Sequence, residues 1–314
     1  MVKRKALPWA PTSVPDMRRQ WCNALDALVE HQSSALREPA DPAGGGSRRL
    51  QRMQAKLAES LAQMSTESQA IRRAELFFVS RDMVDVALDA ADSLPEWTPA
   101  IAAPCPTGLL CWAKPAGMVP WNALSPDDPA EVTWDGLWWW SRPDGVLQLQ
   151  PLSRLAKNPE LLAPYQVTSP LWATNPTLTV QPLVPRTAEA AGAADASPLI
   201  SVVGAAWLLM GQPTVASTRA LEAPPRHRDD GAATEPNPDQ VSIIELRRPM
   251  SPPREGEGSG ADRQYHHRWW VGGHWRQQAC GPNHADRRPK WIAPYVKGPE
   301  GAPLKKDRVH VWRR

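Results

Sequence analysis

The sequence predicts an α+β protein: a helical N-terminal region, a central mixed α/β domain with antiparallel strands, and a small basic β-rich C-terminal domain. Three observations predict it. Apolar residues recur at helical spacing through the first 64 positions. Between 76 and 150 they gather into short runs bounded by turn residues. From Arg263 onward the pattern alternates with period two while charge rises steeply, twelve Lys/Arg standing against three acids. That is about +9 in a chain whose net charge is only +3. The boundaries that follow are an N-terminal arm and helical hairpin over 1–64, a central α+β domain over 65–248, a linker at 249–262 and the basic domain over 263–314.

Residues 1–15 read as a loose basic arm. A first helix starts at Asp16 as N-cap, with Trp21, Leu25, Leu28 and Val29 on one face, and EPADPAGGG at 38–46 ends it. Ser47 caps a second helix whose Leu50, Met53, Leu57, Leu61 and Met64 form one stripe. Two amphipathic helices around a Gly/Pro loop make a helical hairpin that faces a core; its stripe spans too few heptads for a coiled-coil dimer arm. Leu76 to Val79 is a short strand. Ser80 then caps a third helix, with Val79 and Val84 as a hydrophobic staple, and Leu94-Pro95 stops it. GLLCWA at 108–113, EVTWDGLWWW at 131–140 and VLQLQ at 146–150 are strands of an antiparallel sheet, the last two joined by the turn Arg142-Pro143-Asp144-Gly145. The Pro/Ala-rich stretch 156–197 yields no ordering. Pro198 opens a helix, apolar nearly all round and therefore buried, that ends at Gly211. PPRHRDDGAATEPNPDQ at 224–240 is a solvated loop, VSIIELRR at 241–248 a further strand, and PMSPPREGEGSGAD at 249–262 the clearest linker.

The totals narrow the function classes. Four Cys without a C-x₂-C pair argue against a disulfide framework and a structural zinc site. No apolar h-region follows the N-terminal cations, and the longest apolar run, 199–210, is too short to span a bilayer, so a cytoplasmic protein is expected. P-loop, G-x-G-x-x-G, G-x-S-x-G and H-E-x-x-H patterns are absent, and no cofactor is implied. The basic tail, against an acidic remainder, points to an anionic partner such as RNA or single-stranded nucleic acid.

Within the tail, YHHRWWVGGHWRQQ at 265–278 carries the functional argument. Alternation places Tyr265, His267, Trp269, Val271 and Trp275 on a core-facing side, and His266, Arg268, Trp270, His274 and Arg276 on a half-exposed one. PKWIAPYV at 289–296 and RVHVWR at 308–313 follow as strands. Cations neutralise phosphates, while an indole face stacks on any base for roughly 1–3 kcal/mol per base. Arg268, Trp270, His274, Arg276, Lys290, Lys297 and Arg308 are the expected nucleic-acid contacts. A basic surface that merely keeps a small domain soluble is the alternative. If the tail is catalytic, it is a metal-independent ribonuclease with His274 and Arg276 as its core, assisted by His266, Lys290 and Tyr295; binding without chemistry is the simpler reading. Cys280, His284 and His274, with His266 or His267, supply ligand types for zinc, but the Pro, Asn and Asp among them read as an ordinary loop. Gly272-Gly273 is either a hairpin turn or a close-approach point in one continuous strand, and the surviving alternation favours the strand. Trp138, Trp139 and Trp140 offer a protein-interaction patch, unless helices and loops cover both faces.

Several segments carry a resemblance: His267-Arg268-Trp269, GHWRQQ at 273–278, RPKWIAPYVKGPEGAPL at 288–304 and Val309 to Arg314, and more thinly LFFVSRDM at 76–83, SLPEWTPA at 93–100, PTGLL at 106–110 and AAWLLMGQP at 205–213. Together they resemble a family of hypothetical proteins of actinobacterial phages, plasmids and integrated elements. More distantly, Gly273-His274-Trp275-Arg276 followed by Trp291-Ile292-Ala293-Pro294 resembles the R-x-H-W-x core and following W-[IL]-x-P segment of a set similar to type V-A anti-CRISPR proteins that suppress production of the Cas effector at the translation stage. The resemblance implies a mobile-element protein acting on RNA or a translation complex, with His274, Trp275, Arg276, Trp291, Pro294 and Gly298 at the corresponding positions. Gly272 stands where such relatives often carry Arg or another polar residue. A host protein partner is a further implication.

Overall fold

The computed structural model describes residues 8–37, 48–121, 130–162, 169–174, 177–187, 197–221, 239–247, 266–299 and 301–303. The linker 249–262, the loop over 224–238, Ser47, Tyr265, Arg308 and the strand expected at 308–313 fall outside them.

A 3-10 turn at Pro11–Ser13 leads into α1 (Val14–Arg37). The helix starts two residues before Asp16, which lies in its first turn and pairs with Arg19 instead of capping. α2 (Arg48–Arg72) packs on α1 and runs well past Met64, where the sequence stripe stops. β1 (Glu75–Val79) follows, then α3 (Arg81–Ala91) with Ser80 at the N-cap. The Ser80 carbonyl accepts the Val84 amide at 3.0 Å, while its hydroxyl makes no capping bond. After a short α4 (Pro99–Ala102) come β2 (Thr107–Trp112) and β3 (Met118–Trp121).

EVTWDGLWWW is two strands rather than one: β4 (Ala130–Thr133) pairs with β3, and β5 (Gly136–Ser141) enters the main sheet. Asp135 is the reason for the break. It is fully buried, and its carboxylate accepts Arg154 Nε at 3.1 Å, Lys157 Nζ at 2.7 Å and the Thr133 hydroxyl at 2.6 Å. An unpaired carboxylate there would be prohibitive, and the chain turns at 134–135 to deliver it to its cations. β6 (Leu147–Arg154) returns through the expected turn, Gly145 taking φ +81°. α5 (Pro159–Leu162), β7 (Leu171–Ala173) and β8 (Leu178–Val180) order parts of the Pro/Ala-rich stretch. α6 (Ser197–Met210), β9 (Ala216–Leu221) and β10 (Val241–Leu246) follow, and β11 (Trp269–Val271), β12 (His274–Cys280), β13 (Asp286–Ile292) and β14 (Tyr295–Lys297) complete the described elements.

The eight-stranded sheet runs β7-β6-β5-β2-β1-β10-β9, with β8 also on β6. β2, β5 and β6 pair antiparallel as the sequence predicts, and the sheet as a whole is mixed because β1 lies parallel to both β2 and β10. The α3 connection carries the chain back to the start of the sheet, so β2 sets off in the same direction as β1. Both faces are covered. Leu76, Phe78, Leu109, Trp138 and Trp140 face α1 and α2, in one core with Trp21 and Ile71. Phe77, Val79, Leu110, Trp112 and Trp139 face α3 and α6 in the larger core. The three consecutive indoles are 0, 0 and 2 % exposed, so Trp138, Trp139 and Trp140 form no protein-binding surface. Trp138 meets Trp21 edge-on at 5.9 Å and Trp139 stacks on Phe77 at 5.7 Å, which is what a strand buried on both faces requires. Among the described residues no helix is long and apolar enough to cross a membrane.

Candidate nucleic-acid interface

β11 pairs antiparallel with β14 and β12 with β13, in one common register: Trp269 opposes Lys297, Trp275 opposes Trp291 and Cys280 opposes Asp286. The segments therefore form one long hairpin. Counting along it sets Gly272 and Gly273 opposite Pro294 and Ala293, where the ladder lapses. Pro294 has no N–H to donate, which accounts for the gap. Gly272-Gly273 is thus no hairpin turn. Gly273 is a close-approach point, since a Cβ there would lie 2.4 Å from the Trp291 ring. The turn lies at Gly281–Ala285, where Gly281, Asn283 and His284 all take positive φ.

One rung seats the hairpin on the body. Trp275 and Trp291 meet edge-on at 5.3 Å, and Trp291, 3 % exposed, belongs to the large core. Trp275 Nε1 donates to the Ala90 carbonyl of α3 at 2.8 Å, and the Trp291 amide donates to Gln212 Oε1 just beyond α6 at 2.8 Å. The rest of this face is less covered. Trp269 and Val271 are half-buried, and His267, expected inward, is exposed.

Opposed residues of an antiparallel pair share a face, so docking Trp275 and Trp291 turns three neighbouring rungs outward. These are His274 with Ile292, Arg276 with Lys290, and Gln278 with Arg288. Successive same-face rungs lie about 7 Å apart at strand rise. His274 and Arg276 are exposed and Lys290 is half-buried. Arg276 and Lys290 directly oppose each other, a like-charge pairing that costs stability unless an anion intervenes. Among the described residues no carboxylate lies within ion-pair distance of Arg276, Arg288 or Lys290. Asp286 shares this face, but its carboxylate reaches over Gly281.

His274, Arg276 and Lys290 are thus brought together. Arg288 joins them unforeseen, although the parity it shares with Lys290 would have identified it. Arg268 is half-buried at the hairpin base, its Nε donating to the Ala302 carbonyl at 2.8 Å and its amide to Pro303 O at 2.9 Å, so it serves as a brace. Lys297 opposes Trp269 and belongs to the other face. Trp270 pairs through its backbone with Val296; its side chain, like Arg308, lies outside the described residues. Tyr295 opposes Val271, on the face away from His274 and Arg276, so the ribonuclease set is divided between two faces. The zinc set is divided too. His274 and Cys280 stand at opposite ends of β12, about 20 Å apart at strand rise. Among the described residues no three metal-ligating side chains converge.

No family model matches the chain, and no curated protein matches it. Among solved structures it is similar to the crystal structure of AcrVA2, with 15 % sequence identity and a TM-score of 0.36, over 92 % of this chain and 99 % of that one. A likeness at this level leaves the functional reading to the geometry of the hairpin.

Proposed function

We propose that the chain binds RNA or another single-stranded nucleic acid along the outward face of the β11–β14 hairpin, as a protein of a phage or mobile element that interferes with host gene expression or defence. One observation carries the binding: Arg276 and Lys290 are opposed across the ribbon, with Arg288 one rung on and no carboxylate among the described residues to neutralise them. A phosphate chain laid along the rungs relieves that repulsion. His274 adds a ring beside the row. A line of cations along one face of a ribbon tracks a nucleic-acid backbone, and a flexible single strand can follow the ribbon's twist. The setting in a mobile element is supported by the sequence resemblance over 273–278 and 288–304. Ultraviolet crosslinking of the intact chain to RNA, followed by peptide mapping, tests the proposal. Crosslinks concentrated in residues 266–299 are expected; none, or crosslinks confined to the α1–α2 side, defeat it.

A further inference from the structure

The α1–α2 hairpin carries an apolar stripe beyond the point where the body covers it. Leu61 is 5 % exposed, but Leu57 and Met53, one and two turns earlier on the same face of α2, are 38 % and 60 % exposed. Leu28 of α1 is 41 % exposed. Every α2 residue over 51–60 is open to solvent. Beside this stripe Arg48, Arg52 and Lys56 recur at i, i+4 and i+8, exposed and without an ion-pair partner among the described residues. The arm therefore ends in an apolar strip flanked by cations, the pattern of a helix that lays one face on a partner.

The complementary surface lies on the same chain. Between α3 and α6 runs an open groove of about 450 Å³, lined by the apolar Leu88, Ala91, Pro198 and Val202 and by the exposed Asp89 and Asp92. Along α3 and at its C-cap, Asp82, Asp85, Asp89 and Asp92 recur on one exposed side, and of these only Asp85 has a cation, Lys114, among the described residues. Partial burial, with repulsion from Asp85 and then Asp92, pushes the Asp89 carboxyl up from its ordinary value, as expected of a lining short of positive charge. The arm and the groove are on opposite sides of the sheet: α1 and α2 cover the Trp138 and Trp140 face, α3 and α6 the Trp139 face. A chain's own arm cannot reach its own groove.

We infer that copies of this chain associate by laying the Met53–Leu57 end of one helical hairpin into the α3–α6 groove of another, with Arg52 and Lys56 against Asp89 and Asp92. The contact is heterologous, one surface meeting a different one. It stands independently of the nucleic-acid reading.

Sedimentation velocity on the full chain over a concentration series tests the inference. The expected result is a mass that rises with concentration, with association weakened at least tenfold by Met53→Glu/Leu57→Glu and equally by Asp89→Lys/Asp92→Lys. Mixing an Arg52→Glu/Lys56→Glu chain with the Asp89→Lys/Asp92→Lys chain restores heterotypic association, which also shows that both variants fold. A wild-type chain that stays monomeric overturns the inference. Association untouched by either variant, or weakened only by changes in the arm with no rescue on mixing, overturns the groove as its receptor.

Discussion

Removing the opposed cations Arg276 and Lys290 tests the outward face most directly, because the effect can be worked out in advance. Each phosphate neutralised on a single strand contributes about 0.7 to the slope of log K against log salt. Arg276, Lys290 and Arg288 share the face, so the wild-type chain is expected to show a slope of at least about −2. Raising salt from 50 to 200 mM then weakens binding about 20-fold through these three cations alone. Arg276→Ala/Lys290→Ala leaves Arg288, and the slope falls in magnitude by about 1.4 whatever other tail cations contribute. Fluorescence anisotropy with an end-labelled, unstructured RNA reads both slopes.

The double variant is expected to fold normally, since it removes a repulsive cross-strand pair. Its stability should equal or slightly exceed that of the wild type. Loss of affinity without loss of stability separates a binding surface from a structural one. Equal slopes for the two proteins would refute the reasoning outright, because the opposed pair would then touch no phosphate. A variant that binds normally but unfolds more readily would equally refute it, by showing that the pair is held by partners within the chain.

The docking rung makes further predictions. Gly273→Ala places a methyl into the Trp291 ring and should cost about 1–3 kcal/mol, whereas Gly272→Ala, with nothing within 4 Å of its Cβ, should be tolerated; urea unfolding of the pair distinguishes them. Trp275→Phe keeps much of the packing but loses the bond to the Ala90 carbonyl. It should cost about 1 kcal/mol, with faster amide exchange in β12 by mass spectrometry. Glu67 accepts Trp138 Nε1 at 2.9 Å under α2, and burial pushes its carboxyl above the ordinary 4.5 despite that bond. The folded state therefore holds this proton to a higher pH than the unfolded chain. Its contribution to stability is present at low pH and lost as pH rises from about 4.5 through the raised value. Glu67→Gln should flatten that part of the stability–pH curve, and an unchanged curve would count against the assignment.

Local structure was legible where a single segment carries its own instructions. Ser80 before an amphipathic run, Pro198 before an apolar one and Arg142-Pro143-Asp144-Gly145 between two strands each mark an element that forms where the sequence places it. Pairing across the chain was not legible. β10 lies beside β1 from more than 160 positions away, and nothing local to VSIIEL distinguishes a parallel neighbour from an antiparallel one. Trp138, Trp139 and Trp140 look like an exposed patch until α1 and α6 are known to cover opposite faces of β5. The break before β5 depends on Asp135 finding Arg154 and Lys157, some twenty residues on.

In the candidate interface the alternation of 274–276 carried over, because a ribbon's faces are set by parity once one rung is fixed. The rung that fixes them is Trp275 with Trp291. Its indoles are committed to α3 and the end of α6, so they cannot stack on bases, and Arg276, Lys290 and Arg288 turn outward as the geometric consequence. The rung thus commits Trp275 and Trp291 to docking and turns the cations of its neighbouring rungs outward. A row held in this way is pre-organised: Arg276 and Lys290 stay opposed in the free protein, and their repulsion is present before any ligand arrives. Relief of that repulsion adds to the affinity for a polyanion without requiring the hairpin to move. It follows that loosening the dock, as in Trp291→Ala, should weaken RNA binding even though Trp291 touches no ligand. Trp275→Phe, which keeps the ring seated, should leave binding nearly intact. If both variants bound RNA as well as the wild type does, the row would owe nothing to the body beneath it.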